Sequence, residues 1–130
     1  MSDPLTTYHT DIDVRLRDVD FMGHVNNAVY ATYLEQARAG FFRDVLEVSL
    51  DQVDTVLARL ELEYHRPIEA EQRVGVELRV PELGTSSIPM SYTITADGAS
   101  AATGKTVQVV VDRETGASRP IPDAWRERLE

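Results

Sequence analysis

A change of hydrophobic period divides this chain. Tyr30, Tyr33, Leu34, Ala37, Phe41 and Phe42 recur at steps of three and four, the stripe of an amphipathic helix, whereas the apolar runs on either side alternate residue by residue. A helix with one apolar face must bury it against another element, and the alternating runs supply strands with one apolar face each. The reading is a helix from about Asn27 to Val45, with Asn26 or Asn27 as N-cap, because a short polar side chain there satisfies an orphan backbone N–H. Gly40 inside it marks close packing against a strand. Before the helix, "DIDVRLRD" alternates Ile12, Val14 and Leu16 with charges. After it, "VLARLELEYHRP" sets Val56, Ala58, Leu60, Leu62 and Tyr64 on one face, until Pro67 ends the strand. "RVGVELRVP" and "IPMSYTITA" continue the pattern through Val74, Val76, Leu78 and Val80 and through Ile88, Met90, Tyr92, Ile94 and Ala96, with Pro81 and Gly84 in the turn between them. Asp97-Gly98 is a hairpin turn leading into "TGKTVQVVVD", and "PIPDAWRERLE" starts a short helix after Pro122. One long helix followed by four strands with short connections implies an α+β fold, an antiparallel β-sheet with the helix on its covered face.

At 130 residues, of which 42% are hydrophobic, residues 1–130 are expected to form a single domain with a real core. The formal net charge of −9 disfavours nucleic acid and anionic membrane as partners, since both are bound through basic surfaces. No apolar stretch approaches the length a bilayer needs, and "MSDPLTTYHT" lacks the basic start and apolar middle of a secretory signal, so a cytoplasmic location is expected. With no cysteine and three scattered histidines, no metal site and no thiol chemistry are expected.

One stretch fits neither period. "DVDFMGHVNNAVY", residues 18–30, concentrates two aspartates, a glycine, a histidine and two asparagines directly before the helix. Taken by themselves these are residues of turns and caps. The longer segment "RLRDVDFMGHVNNAVYATYLEQAR" resembles the signature of hot-dog fold acyl-CoA thioesterases of the 4-hydroxybenzoyl-CoA thioesterase-like family, D-x-D-x-x-G-H-V-N-N before a central helix carrying E-x-A-R. The matching residues are Asp18, Asp20, Gly23, His24, Val25, Asn26, Asn27, Tyr30, Glu35, Ala37 and Arg38, and "YHRPI", "LGTSS", "ADG" and "RPIP" extend the resemblance over nearly the whole chain.

The resemblance implies a sheet wrapped round one long central helix, assembled as a homodimer or homotetramer whose sites form at the subunit interface. It implies hydrolysis of an acyl-CoA thioester to free acid and coenzyme A, with no cofactor other than the coenzyme A carried by the substrate. Asp20 matches the family's catalytic aspartate, as general base on water or as direct nucleophile, and an aspartate is ionised at neutral pH. The helix N-terminus offers unpaired N–H groups to a developing oxyanion, with the Asn27 amide first among them. His24 would polarise the attacking water or order the loop. Gly23 would let backbone and thioester approach closely, Asn26 would cap or turn and contact substrate through its backbone, and Asp18, on the same side as Asp20 in an extended segment, would hold the loop. Glu35 occupies roughly the place of the catalytic carboxylate in a sister branch, and an i, i+3 ion pair with Arg38 explains it equally well. Arg66, Arg79, Lys105 and Arg113 are candidates for the coenzyme A phosphates, and Ser86 and Ser87 for a pantetheine contact. Two other functions fit a chain of this kind: a hot-dog enoyl-CoA hydratase or dehydratase using His24 with Asp20, and a non-catalytic acyl-CoA-binding protein.

Overall fold

The computed structural model describes residues 6–48 and 54–130; the first five residues of the N-terminal stretch considered above lie outside them. Strand β1 (Thr6–Ile12) is followed by a 3₁₀ turn at Leu16–Asp18, helix α1 (Val29–Asp44), strands β2 (Thr55–Tyr64), β3 (Val74–Val80), β4 (Ser87–Ala96) and β5 (Ala99–Val110), and helix α2 (Asp123–Leu129). The strands form one antiparallel sheet in the order β1-β3-β4-β5-β2, with α1 against one face. This is the α+β arrangement, a sheet around one long helix, that the hydrophobic periods and the resemblance imply.

The helical stripe is buried as its spacing requires: Tyr30, Tyr33, Leu34, Ala37, Phe41 and Phe42 all face the core, where each large apolar side chain contributes about 2 kcal/mol. They meet the inward residues of β3 and β4, which are the alternating sets named from the sequence. Asp97 and Gly98, at φ of 50° and 84°, make the tight turn from β4 into β5, and both ends of the tail helix bury an anchor, Trp125 and Leu129. Gly40 does mark a close approach, because a Cβ there would lie 2.6 Å from Oη of Tyr8 in β1. That hydroxyl donates to Asp44 Oδ2 at 2.6 Å and ties the first strand to the end of the helix.

Three elements depart from the sequence reading. The first strand lies earlier than "DIDVRLRD": after Ile12 the chain leaves the sheet, and Leu16 is 92% exposed on the 3₁₀ turn. Helix α1 begins at Val29 with Ala28 as N-cap; Asn26 acts one step earlier, its Oδ1 accepting the Ala28 N–H and its carbonyl the Val29 N–H, each at 2.9 Å. Strand β2 has a bulge between Leu57 and Arg59, so the residues opposite Gln108, Thr106, Gly104 and Ala102 on the helix-facing side are Leu57, Leu60, Leu62 and Tyr64. Val56 and Ala58 drop out of that face. β2 and β3 follow one another in the chain yet lie apart in the sheet, and residues 65–73 carry the chain between them.

The Gly40 contact generates a coupling. Alanine at Gly40 gains roughly 1 kcal/mol of helix propensity but displaces the Tyr8 hydroxyl. Gly40→Ala is expected to be less favourable by about 1 kcal/mol in the wild-type chain than in a Tyr8→Phe background, read from urea unfolding of the four proteins of the cycle. Equal effects in both backgrounds would remove this contact from the account of how β1 is held.

Candidate active site

The 18–30 stretch folds around a buried carboxylate. Asp18, 1% exposed, accepts the Arg15 backbone N–H on Oδ2 at 2.9 Å, the Arg15 guanidinium on Oδ1 at 3.1 Å and the Tyr33 hydroxyl of α1 on Oδ2 at 3.0 Å. Burial by itself would raise this carboxyl, but the Arg15 N–H, the guanidinium and the Tyr33 hydroxyl outweigh it and hold the pKa below its ordinary value. Tyr33 moves the other way, its phenol raised by burial and by the facing carboxylate. Since Leu16–Asp18 is a 3₁₀ turn and not extended backbone, Asp18 points inward while Asp20 is exposed, and the expectation that they share a side fails.

From this anchor the chain makes a small closed loop. Val19 bridges Val25, Asp20 N donates to His24 O at 2.8 Å and Gly23 N to Asp20 O at 3.0 Å. Gly23 has φ of 81°, in the left-handed region, and a Cβ there would meet nothing within 4 Å. Glycine is needed to make the turn, and Gly23 does not line the cleft beside the loop, which corrects the expectation that it admits a close approach by a ligand. The crossing segment pins the loop from the other side: Val25 N donates to Ile68 O at 2.8 Å, Ala70 N to Gly23 O at 3.2 Å, and His24 bridges Glu69.

A cleft of about 290 Å³ opens at this loop, lined by Asp20, His24, Asn27 and Tyr30 on one side and Tyr64, His65, Arg66 and Pro67 on the other. Asp20 Oδ1 accepts the backbone N–H groups of Met22 at 2.9 Å and His24 at 3.2 Å. Its other oxygen, Oδ2, has no hydrogen-bond donor among the described residues, so this side chain of the cleft wall builds the turn with one oxygen and leaves the other without a partner among them. The Asn27 N–H likewise finds no acceptor among them, while its neighbour at Ala28 is taken by Asn26 Oδ1. Tyr64 fixes this residue from across the cleft, its hydroxyl donating to Asn27 O at 2.7 Å and its ring packing edge-on to Tyr30 at 4.8 Å. His24 lines the cleft and touches Asp20 through its backbone N–H.

Of the remaining candidates, Arg66 borders the cleft, but Asn26 serves the turn without lining it. Glu35 lines a different cleft, and no ion pair joins it to Arg38: Arg38 turns inward, its Nη1 donating to Tyr92 Oη at 3.4 Å. Ser87 starts β4 opposite Val109, beside Ser86, at the end of the sheet away from Tyr64, because the antiparallel order sets the two ends of β5 far apart. Arg79 is paired with Glu77, Arg113 with Asp54 at 2.7 Å, and Lys105 lines other clefts, so Arg66 is the one of the four named that borders this cleft. The sequence reading missed Tyr64 and Tyr30 as wall residues. An aromatic immediately before His65 and Arg66 is a weak signal, and its partner Asn27 is 37 positions away.

Residues 14–129 match the family model described as the Thioesterase-like superfamily. The chain belongs to this superfamily. It is 42% identical to a thioesterase from Thermus thermophilus solved in complex with coenzyme A and Zn, over 94% of this chain and 96% of that one, with a TM-score of 0.85. A predicted thioesterase from Bacillus stearothermophilus is 28% identical over 95% and 94% of the two chains, with a TM-score of 0.87. The uncharacterized protein YsmA of Bacillus subtilis (strain 168) is 26% identical over 125 residues, 95% of this chain and 85% of that protein. In this superfamily member, no three histidine or carboxylate side chains among the described residues converge on a metal-binding position, and no described helix is long and apolar enough to cross a membrane.

The Asp18 anchor predicts an acid response. A carboxyl whose folded pKa is depressed contributes stability above its unfolded value near ~4, and loses it as pH falls through the lower folded value. Asp18→Asn should cost about 1–3 kcal/mol at neutral pH, since an amide cannot accept all three donors, and the gap from wild type should narrow in urea unfolding below about pH 4. A gap independent of pH would show that the Asp18 charge is not what holds the loop.

Proposed function

We propose that the protein is an acyl-CoA thioesterase that hydrolyses an acyl-CoA to free acid and coenzyme A. The observation that carries this is that one cleft is lined by both Asp20, whose Oδ2 has no donor, and Asn27, whose N–H has no acceptor among the described residues and which lies two residues before α1. With the thioester carbonyl oxygen on the Asn27 N–H, Asp20 takes a proton from a water that attacks the carbonyl carbon. The tetrahedral oxyanion is held by that N–H and the positive end of the helix, the C–S bond breaks, and the proton goes to the departing thiolate. Direct attack by Asp20, forming a mixed anhydride that water then opens, uses the same geometry. The His24 ring orients the water, and Tyr64 holds Asn27 through its carbonyl. Arg66, exposed at the rim, takes a phosphate of coenzyme A. Similarity to a thioesterase solved with coenzyme A supports this ligand. Glu35 is not assigned the reaction because it does not share the cleft with the Asn27 N–H.

The same reading includes a dimer formed through β2. This ten-residue edge strand leaves Val56, Leu57, Leu60 and Tyr64 exposed, and Phe21, 99% exposed, and Met22 stand out from the loop beside it. An open edge with an apolar face is a template for pairing with another strand, and a second copy offers an identical one.

Two measurements test these points. Release of free thiol from short-chain, long-chain and aromatic acyl-CoAs should identify at least one substrate, and Asp20→Asn should lower kcat/KM at least about a hundredfold; an active wild type indifferent to this substitution would move the reaction to Glu35. Sedimentation equilibrium should show a dimer or its multiple, shifted toward monomer by Leu60→Lys. A wild-type monomer at high protein concentration would overturn the edge pairing.

A further inference from the structure

The segment that braces the Asp20 loop, residues 65–73, is itself held at both ends by the β4–β5 hairpin. At its start, Ala101 O accepts the His65 N–H at 2.8 Å and the Arg66 N–H at 3.1 Å. Ala101 is the extra residue of a bulge, since Ile94 pairs with Ala102 and Thr95 with Ser100, which leaves it unpaired with β4. At the other end, Asp97 Oδ1 accepts the Arg73 N–H at 2.9 Å and Asp97 N donates to Arg73 O at 2.8 Å.

Gln72 links this second anchor to the loop. Its Oε1 accepts the Glu69 N–H at 2.8 Å, its Nε2 donates to Asp97 Oδ2 at 3.4 Å, and its backbone N–H closes the turn on Glu69 O at 3.1 Å. Glu69 bridges His24, and its neighbours Ile68 and Ala70 bond Val25 and Gly23. A continuous chain of hydrogen bonds therefore runs from the hairpin turn, through the Gln72 amide, to the loop that carries Asp20. An amide suits the place because it has an acceptor at one end and a donor at the other. A carboxylate at 72 would set two anions against each other, and an apolar side chain would take this partner from both the Glu69 N–H and Asp97 Oδ2.

The hairpin turn points the same way. Asp97 has φ of 50°, a left-handed conformation that glycine adopts without steric cost, yet glycine there could bond neither Gln72 nor the Arg73 N–H through a side chain. Neither Gln72 nor Asp97 lines the Asp20 cleft, so any influence on it passes through the loop. The two anchors also divide the work, because Arg66 depends on Ala101 and the loop on Gln72. Resting on the thioesterase reading, we propose that Gln72 and Asp97 are positioning residues of the reaction, which hold the Asp20 loop in its reactive shape without contributing to the grip on coenzyme A.

The test reverses the bond. Gln72→Glu keeps an acceptor for the Glu69 N–H but places a carboxylate against Asp97. Asp97→Asn leaves one donor unmatched in any orientation of the two amides. In the double variant the new amide at 97 donates to the new carboxylate at 72, and every other bond of the chain keeps its direction. Each single variant should lower kcat about tenfold with KM changed less than about threefold, and the double variant should return to within about threefold of wild type. Circular dichroism at the assay temperature checks that a lower kcat is not a smaller folded fraction. Hydrogen exchange at the Val25 and Ala70 amides, which join segment and loop, should quicken about tenfold in the single variants and slow again in the double one, with the Val76 and Leu78 amides of β3 unchanged. Wild-type kcat in both single variants, or a loss that the double variant does not recover, would overturn the proposal. Faster exchange with unchanged kcat would reduce the chain of bonds to a structural brace, and a raised KM at unchanged kcat would assign it to binding. A wild type that hydrolyses no thioester would remove the thioesterase reading, and the exchange rates would then decide by themselves whether Gln72 and Asp97 hold the loop.

Discussion

The buried carboxylate of Asp18 is the interaction on which the geometry of this molecule turns. An ion taken out of water costs several kcal/mol unless its lone pairs are met, and here they are met by three donors from two places, Arg15 before the loop and Tyr33 on the helix. The requirement fixes where the chain leaves the sheet and how the loop lies against the second turn of α1. Asn26 extends the clamp by donating to the Asp18 carbonyl at 2.8 Å, just before the helix begins. With Ile68 and Ala70 holding the far side, the Val19–Val25 loop has little freedom left. Asp20 and Asn27 therefore line the cleft on a loop whose shape is held from both sides.

The helix that supplies Tyr33 is too narrow to cover five strands. The inward residues of β3 and β4 are closed off, whereas β2, at the edge, keeps an apolar row in water. That deficiency and the polarity of the 18–30 loop lie at the same margin, because Tyr64 ends the exposed row and also bonds Asn27. A monomer of this fold thus leaves its hydrophobic face unfinished next to its most reactive-looking residues. Closing the first by association also changes the surroundings of the second.

Local chemistry explains which parts of this could be read from the sequence. The α1 stripe, the alternation of β3 and β4, the Asp97-Gly98 turn and the tail helix were legible because each depends on a period or a backbone requirement within a few residues. The resemblance in "DVDFMGHVNN" located the loop, and Asp20, His24, Asn27 and Arg66 do come together. What escaped was set by partners distant in sequence. The bulge that puts Leu57 in place of Val56 and Ala58 follows from the pairing with β5, and the inward turn of Arg38 follows from Tyr92, 54 positions away. Ser87 matched a motif whose strand end lies at the wrong side of the sheet, a fact of topology that no local pattern carries.

The polarity of β5 is the least economical feature of the core and for that reason the most informative. Thr106 and Gln108 face the helix while Val107 and Val109, their neighbours, look toward the outer face of the sheet. A strand with the valines inward would bury about 1.5–3 kcal/mol more per side chain and would leave no orphan oxygen beside Phe42 and Ala39. Register alone cannot excuse the inversion, since Ala102, Gly104 and Val110 on the same inner face are small or apolar, as packing under a helix demands. Gly104 in particular has no room for a side chain, with Leu34 Cδ1 at 2.9 Å from where its Cβ would stand. The strand is thus held to minimal residues at Ala102 and Gly104, where α1 presses on it, and carries polar ones farther along: Thr106, bonded to Tyr92 Oη in the core, and Gln108, in the wall of the cleft that Glu35 lines. Thr106 is satisfied by its bond to Tyr92 Oη, so the one polar atom of this face that packing leaves without a partner among the described residues is Gln108 Oε1.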